Sequence, residues 1–306
     1  MKIAVVGAGG VGGYFGGRLA QHGTDVTFVA RGAHLQAMRE HGLRVSSALG
    51  DFTLDPVRVT HDPAVIGPVD IIMVAVKLWD VVGVAEQIGP LLGPETGVIS
   101  FQNGVDAEGM LAERLGAEHV LGGVAYITAG IAEPGHVEQI GSAARLLVGE
   151  LDGRQSPRAT AFVEASRSAG IDAVLSGDIE KDIWSKFVYL CGLSGCTTLM
   201  RSPIGPIRTD PDTRMLLAAC LREVAAVGRA KGIHLDPDIA EQQLAWADSV
   251  PAGAKSSMFA DLERGNRLEV PWLSGTVARL GTELGVETPV NRFIYTALKL
   301  HAGGRA

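Results

Sequence analysis

A lysine lies inside an apolar helical stretch, where its charge needs an explanation. The stretch DIWSKFVYLCGLSGCTTL spans residues 182–199, with Lys186 near its start. On a helix this lysine lies on one face with Ile183, Phe187 and Leu190. Partial removal from water lowers the pKa of a lysine. A cation beside a developing oxyanion stabilises it by its charge and also by donating a proton to it. Lys186 is therefore a candidate proton donor; the alternative is a surface lysine whose ammonium extends into water.

A glycine-rich turn at the start of the chain is the second motif with chemical meaning. KIAVVGAGGVGGYFGG, residues 2–17, has the pattern of a strand, a tight turn and a helix. In such a turn the first glycine permits the bend, the second lets a pyrophosphate approach the backbone, and the third lets the helix pack on the strand. The pattern predicts a dinucleotide site, with a purely structural turn as the alternative. The residues expected to contact the cofactor are Gly7, Ala8, Gly9, Gly10, Val11 and Gly12.

The residue that follows the second apolar run bears on which dinucleotide binds. An NAD-preferring site usually has Asp or Glu there, on the ribose hydroxyls. This chain has VARG at residues 29–32, and the guanidinium of Arg31 offers a fork suited to a 2′-phosphate. The sequence therefore predicts NADP(H) over NAD, and an exposed loop arginine is the alternative.

Alternating apolar runs indicate the elements that position these residues. Short strand-like runs separated by helical or loop segments are typical of a parallel sheet with crossover helices. We therefore expect an α/β fold, with a Rossmann-type doubly wound parallel sheet in an NADP-binding domain over residues 1–177. The predicted strands lie at residues 2–7, 25–30, 70–77, 97–103 and 119–126, with further strand-like segments at 136–150.

The second half has long helical periodicity, which predicts an all-helical domain over residues 178–306. We expect this domain to serve substrate binding and dimerisation. Helix starts are expected at Asp210 with Pro211, at Asp236 with Pro237, and at Pro271. A homodimer is compatible with such an apolar helical domain.

Composition narrows the class of partner. Lys+Arg 27 against Asp+Glu 34 gives a net charge of −7, which disfavours a nucleic-acid surface and fits a small-molecule partner. No apolar run approaches the roughly 20 residues of a spanning helix. The three cysteines are sparse, without metal-type spacing, and the histidines form no metal motif. We expect a cytoplasmic protein with reduced core thiols, without metal and without membrane insertion.

The order and spacing of several motifs resemble the ketopantoate reductase (2-dehydropantoate 2-reductase) family over nearly the whole chain. The matching motifs are GAGGVG, RG after the second strand, VAVKLWD, FQNGV, IWSKF and SSMFADLERGNRLEV. The resemblance implies a Rossmann domain joined to a helical domain. It also implies NADPH-dependent reduction of a 2-oxo acid to a 2-hydroxy acid, most directly 2-dehydropantoate to pantoate in pantothenate biosynthesis.

The resemblance also assigns roles to residues at matching positions. Lys186 corresponds to the general acid, and Glu269 to a carboxylate that orients substrate and cofactor hydroxyls. Ser257 corresponds to a substrate-binding hydroxyl, and Asn103 to a residue that touches both cofactor and substrate. The remaining cofactor-side positions are Lys77 and, by ungapped spacing, Ile131.

The chain departs from the family pattern where substrate is recognised. Leu190 and Ser194 occupy two substrate-facing positions that carry asparagines in pantoate-forming members, and Ala254 and Ile204 replace two more. Leucine in place of asparagine removes a hydrogen-bond donor and a hydrogen-bond acceptor. The site would then select less strongly for substrates that carry a hydroxyl group. A same-family reductase of a different 2-oxo acid or ketone is one alternative. An NADPH-binding sensor without turnover is another, and the presence of both Lys186 and Glu269 disfavours it.

Overall fold

The computed structural model describes residues 1–305, which form two compact units. The first unit comprises residues 1–102 and 106–182, and the second comprises residues 103–105 and the chain from Ile183 onward. No helix within residues 1–305 is both long enough and apolar enough to cross a membrane.

The first unit is built on one sheet whose middle is parallel and fully buried. Its strands run in the order β4-β3-β9-β8-β7-β6-β1-β2-β5, with β10 beside β9. The central runs IIMV and GVIS are buried at every position, because helices cover both faces of a parallel sheet. The strands are β1 (Lys2–Val6), β2 (Asp25–Val29), β3 (Leu43–Ser47), β4 (Phe52–Leu54), β5 (Val59–Thr60), β6 (Ile71–Val74), β7 (Gly97–Ser100), β8 (Val120–Glu133), β9 (His136–Glu150) and β10 (Asp172–Leu175).

Helices α1 to α5 pack around this sheet. Phe15 and Leu19 on the first helix and Phe162 on the fifth are fully buried, and they form one apolar cluster with strand residues such as Phe28. The helices are α1 (Gly10–Gln21), α2 (Gly32–His41), α3 (Val81–Gln87), α4 (Ala107–Leu115) and α5 (Pro157–Ser168). The α/β class predicted from the sequence is confirmed.

One half of the sheet is more complex than the sequence indicated. Strands β8 and β9 form a long antiparallel hairpin, whereas only short segments were expected at residues 136–150. β3 and β10 pair parallel with separate parts of β9. The short strands β3, β4, β5 and β10 were not predicted, because each depends on a partner rather than on a long apolar run of its own.

The second unit is helical, as predicted. An edge-to-face contact between Trp184 and Phe187, with ring centroids 5.4 Å apart, lies in its core. Cys191, Cys196 and Cys220 are buried free thiols, as expected. The helices are α6 (Ile179–Met200), α7 (Ile204–Thr209), α8 (Pro211–Ala230), α9 (Ile239–Ser249), α10 (Ser257–Arg264), α11 (Ser274–Leu284) and α12 (Pro289–Leu298).

Helix starts follow the capping residues only in part. The Asp210 carboxylate accepts backbone N–H groups of Asp212 and Thr213 at 3.1 and 3.0 Å, so α8 begins where predicted. The other two predicted starts are wrong. α9 begins at Ile239, after a turn in which Ile239 N–H bonds the Asp236 carbonyl, and α11 begins at Ser274.

The division between the units falls inside α6, at residues 182/183, whereas the change in sequence pattern suggested 177/178. The beginning of this helix is tied to the first unit. Ser176 Oγ donates to the Asp182 carboxylate at 2.5 Å, one residue before the division. Helical periodicity marks where the helix begins, but it cannot show which unit the first turn contacts.

Candidate active site

The turn between β1 and α1 requires glycine at particular positions. Gly7 has φ +100°, and a Cβ there would lie 2.8 Å from the Ala75 carbonyl oxygen. A Cβ on Gly12 would lie 2.1 Å from the Gly7 carbonyl oxygen, and one on Gly10 would lie 2.3 Å from the Ala129 carbonyl oxygen. Backbone therefore approaches backbone at three of the predicted turn residues, and only glycine permits that.

The same turn fits a dinucleotide pyrophosphate. A Cβ on Gly9 would meet no atom within 4 Å, so the backbone here faces open space. Gly9 also precedes α1, and no side chain caps that end of the helix. The first backbone N–H groups of a helix have no partner within the helix and attract anions. Gly10, Val11 and Gly12 supply such groups.

Arg31 is the residue immediately before α2. Its side chain is 83% exposed, and one guanidinium nitrogen contacts the Asp80 carboxylate at 2.8 Å. The Lys77 ammonium lies 5.6 Å from the centre of the Trp79 ring. Lys77 immediately precedes a short 3-10 helix at Leu78–Asp80, and Asp80 is its last residue, just beyond the carboxyl end of β6. Parallel sheets bind ligands at that end of their strands.

Ile131 lies near the end of β8 and is 48% exposed. Its backbone pairs with Val137 of β9, and a register shift follows between Ile131 and Glu133. β8 also supplies Ala129, whose carbonyl group closely approaches Gly10. The strand that carries Ile131 therefore packs directly against the glycine turn.

The second unit brings together three residues predicted from distant parts of the sequence. Lys186 Nζ donates to Asn103 Oδ1 at 3.1 Å, across 83 residues of chain. Lys186 is part-buried, and its neighbours Ile183 and Phe187 are buried. Desolvation lowers the pKa of Lys186 to about 8, although the negative charge of Glu269 raises it. The sequence left the balance between these two effects open, and in the structure the effect of burial outweighs that of Glu269.

Glu269 is almost completely buried, with 3% of its surface exposed. It lies in a turn before α11, where its carbonyl oxygen accepts the N–H groups of Trp272 and Leu273 at 3.0 and 3.1 Å. A buried carboxylate is costly unless it has polar or charged partners. Its influence on the pKa of Lys186 shows that the two charges interact.

The predicted substrate-side residues have different surroundings. Leu190 is part-buried, one helical turn beyond Lys186. Ser194 is fully buried, and its hydroxyl has no hydrogen-bond partner in the described chain. Ser257 is exposed at the first position of α10, while its neighbour Ser256 caps that helix through Phe259 N–H at 3.0 Å.

Two residues at the predicted cofactor site were missed by the sequence reasoning. Asp80 contacts Arg31 from 49 positions away, and His34 contacts the backbone of Ala8 and Gly135. The letters KLWD next to Lys77 gave a weak signal for Asp80. A lone histidine in RGAHL gave none for His34, because both of its partners are backbone groups.

Comparison with known proteins matches both units. Residues 3–153 match the family model described as "Ketopantoate reductase PanE/ApbA", and residues 178–302 match "Ketopantoate reductase PanE/ApbA C terminal". The 2-dehydropantoate 2-reductase of Archaeoglobus fulgidus is 34% identical over 299 residues, which cover 97% of each chain. The uncharacterized oxidoreductase YkpB of Bacillus subtilis is 32% identical over 301 residues, covering 98% of this chain and 99% of YkpB.

A solved structure agrees with these relatives. The crystal structure of 2-dehydropantoate 2-reductase from Geobacter metallireducens GS-15 is 32% identical, with a TM-score of 0.91 over 98% of this chain and 99% of that chain. Together with the glycine turn, these matches define an oxidoreductase with a nicotinamide cofactor. Within that class, the chain belongs to the ketopantoate reductase family. The resemblance found in the sequence is confirmed.

Proposed function

We propose that the protein reduces a 2-oxo acid to a 2-hydroxy acid with NADPH, and that 2-dehydropantoate, which gives pantoate, is the first substrate to test. The observation that carries the proposal is Lys186, which has a pKa lowered to about 8 and bonds Asn103. Relatives named 2-dehydropantoate 2-reductase align along almost the whole chain, which supports the same reaction.

Residues of the first unit would hold the cofactor. The N–H groups of Gly10, Val11 and Gly12 would face the pyrophosphate, and Arg31 would pair with a 2′-phosphate. We propose Lys77 and Ile131 as further cofactor contacts. When bound, NADPH supplies the hydride that reduces the substrate carbonyl carbon.

Lys186 would supply the proton. Hydride addition places negative charge on the carbonyl oxygen, and an ammonium group beside that oxygen neutralises it and then protonates it. A lysine with a pKa of about 8 is mostly protonated near neutral pH, yet it gives up its proton more readily than an ordinary lysine. The bond to Asn103 fixes one of its N–H directions, and Glu269 favours its protonated form.

The pH dependence of turnover tests this role. We expect kcat to fall as pH rises above about 8, because Lys186 then loses its proton. Glu269→Gln removes a negative charge that raises the pKa of Lys186, so the fall should begin at lower pH. The matched control is Glu263→Gln on α10, where the carboxylate pairs with Lys255 on the surface. Profiles of kcat against pH for the three proteins check this, and an unshifted profile in Glu269→Gln would contradict it.

Cofactor selectivity tests the role of Arg31. The exposed pair with Asp80 contributes at most about 1 kcal/mol, so a phosphate can compete for the guanidinium. Arg31→Ala should weaken NADPH about tenfold or more, because a charge-assisted bidentate contact is lost, and should leave NADH nearly unchanged. Titration of both dinucleotides checks this, with Arg39→Ala, an exposed arginine of α2, as control. Equal loss for NADPH and NADH would contradict the 2′-phosphate assignment.

The substrate is tested by NADPH oxidation against a panel of 2-oxo acids that includes 2-dehydropantoate. Leu190, an apolar residue one turn beyond Lys186, favours a second candidate, a same-family reductase of a more apolar 2-oxo acid or ketone. A higher kcat/KM for such a compound would select that candidate. NADPH binding without turnover of any compound would contradict an enzymatic function and favour a sensor.

A further inference from the structure

His34 uses both ring nitrogens to join three segments of the first unit. It lies in the first turn of α2, three residues after Arg31. Nε2 lies 2.8 Å from the carbonyl oxygen of Ala8 in the glycine turn, and Nδ1 accepts the N–H of Gly135 at 3.0 Å. Gly135 forms the bend between β8 and β9 and has φ +80°. We propose that His34 is a positioning residue that orients the glycine turn for the cofactor, an inference that rests on the proposed function.

The two partners define the state of the ring. The N–H of Gly135 can only donate, so Nδ1 must present its lone pair. The carbonyl of Ala8 can only accept, so Nε2 must carry the hydrogen. His34 is therefore neutral with the proton on Nε2, because an imidazolium has no lone pair for Gly135. Burial lowers the pKa of His34, which favours the same neutral form.

The bond to Ala8 has a consequence for the next residue. Ala8 C=O and Gly9 N–H belong to one planar trans peptide, in which the two bonds point in opposite directions. A contact that holds the Ala8 oxygen toward His34 therefore aims the Gly9 N–H the other way. Gly9, on one side of this peptide, gives it more freedom to rotate than a residue with a side chain would, unless something holds it. His34 supplies that restraint, and Gly9 is the residue whose backbone faces open space.

The contact to Gly135 holds the His34 ring itself in a fixed position. Gly135 is anchored to the sheet, since its carbonyl oxygen accepts the N–H of Arg44 in β3 at 2.9 Å. The ring is thus held between an anchored bend and the glycine turn. Of the two bonds, the one to Ala8 is the bond that acts on the cofactor-binding backbone.

Two substitutions separate the bonds. The carboxamide of Asn reaches the position of Nδ1, and that of Gln reaches the position of Nε2. His34→Asn should therefore keep the Gly135 contact and lose the Ala8 contact, and His34→Gln should do the reverse. His41→Asn is the matched control, because His41 lies at the end of the same helix with its side chain 79% exposed.

The first readout is dinucleotide affinity. We expect His34→Asn to raise the Kd for NADPH about tenfold, the typical effect of losing one orienting hydrogen bond, and His34→Gln to stay within about threefold of wild type. KM for the cofactor should rise in His34→Asn while kcat at saturation stays unchanged. Unaltered affinity in His34→Asn, or equal losses in both His34 variants, would overturn the assignment.

The second readout needs no cofactor. The NMR order parameter of the Gly9 amide, measured in the protein alone, should fall from about 0.85, typical of rigid backbone, to below about 0.6 in His34→Asn, and should stay high in wild type and His41→Asn. An unchanged order parameter in His34→Asn would overturn the positioning role. If wild-type protein bound neither NADPH nor NADH, the proposed function would fail, and this NMR measurement would still decide the role of His34.

Discussion

Lys186→Met is expected to lower kcat by about 10²–10⁴-fold, the usual contribution of a positioned general acid. The affinity for NADPH should change little, because the proposed contacts to its pyrophosphate and 2′-phosphate are made by the glycine turn and Arg31. Methionine has a similar length and carries no charge, so it fits among Ile183 and Phe187 without a desolvation cost. The melting temperature of the variant should therefore equal or exceed that of wild type.

The matched control for this substitution lies on the same helix. Lys181→Met changes a half-buried lysine of α6 by the same chemistry, and its kcat should stay within about twofold of wild type, because Lys181 has no role in the proposed reaction. Steady-state kinetics with thermal melts on the three proteins check both expectations. Full activity in Lys186→Met would show that the proton comes from another group.

Gly12→Ala should abolish useful dinucleotide binding. The new Cβ would lie 2.1 Å from the Gly7 carbonyl oxygen and 2.9 Å from a Val5 methyl group, so the glycine turn must open. Opening the turn removes N–H contacts to the pyrophosphate, each worth about 1.5–3 kcal/mol with a charged acceptor, so the loss of two raises the Kd for NADPH by at least about a hundredfold. Fluorescence titration of the dinucleotide measures it.

A second glycine provides the control for Gly12. Gly83 lies inside α3, where a Cβ would meet no atom within 4 Å. Gly83→Ala should bind NADPH normally and gain up to about 1 kcal/mol of stability, because alanine favours the helix. Circular dichroism would show whether Gly12→Ala still folds. A folded Gly12→Ala protein with wild-type affinity would contradict the role of the turn.

Local patterns in the sequence predicted much of the fold. The glycine turn, the central apolar strands and the Asp210 cap depend on neighbours a few residues away, and the structure contains each of them. The strands that were missed depend on distant pairing. β3 is a strand because it pairs with β9, about 90 residues later, and no property of the segment LRVSS indicates that partner. The late starts of α9 and α11 show that proline after an aspartate or an extended segment can also begin a turn.

The candidate site shows the same limit of local information. Sequence motifs selected Lys186, Asn103 and Glu269, but the contact between the first two and the charge effect of the third required the structure. The opposing effects of burial and Glu269 on the pKa of Lys186 depend on distances and solvent exclusion. Asp80 and His34 were not predicted as site residues, because each makes its contact with a residue far away in the sequence.

The most direct test of the proposed reductase activity is transfer of deuterium to substrate. Protein incubated with NADPH deuterated at the transferable position and a panel of 2-oxo acids, including 2-dehydropantoate, should yield a 2-hydroxy acid with one deuterium at C2. Mass spectrometry of the products measures this, and Lys186→Met should reduce the yield about as much as it reduces kcat. A protein that binds NADPH and gives no deuterated hydroxy acid from any compound would contradict the proposed reductase.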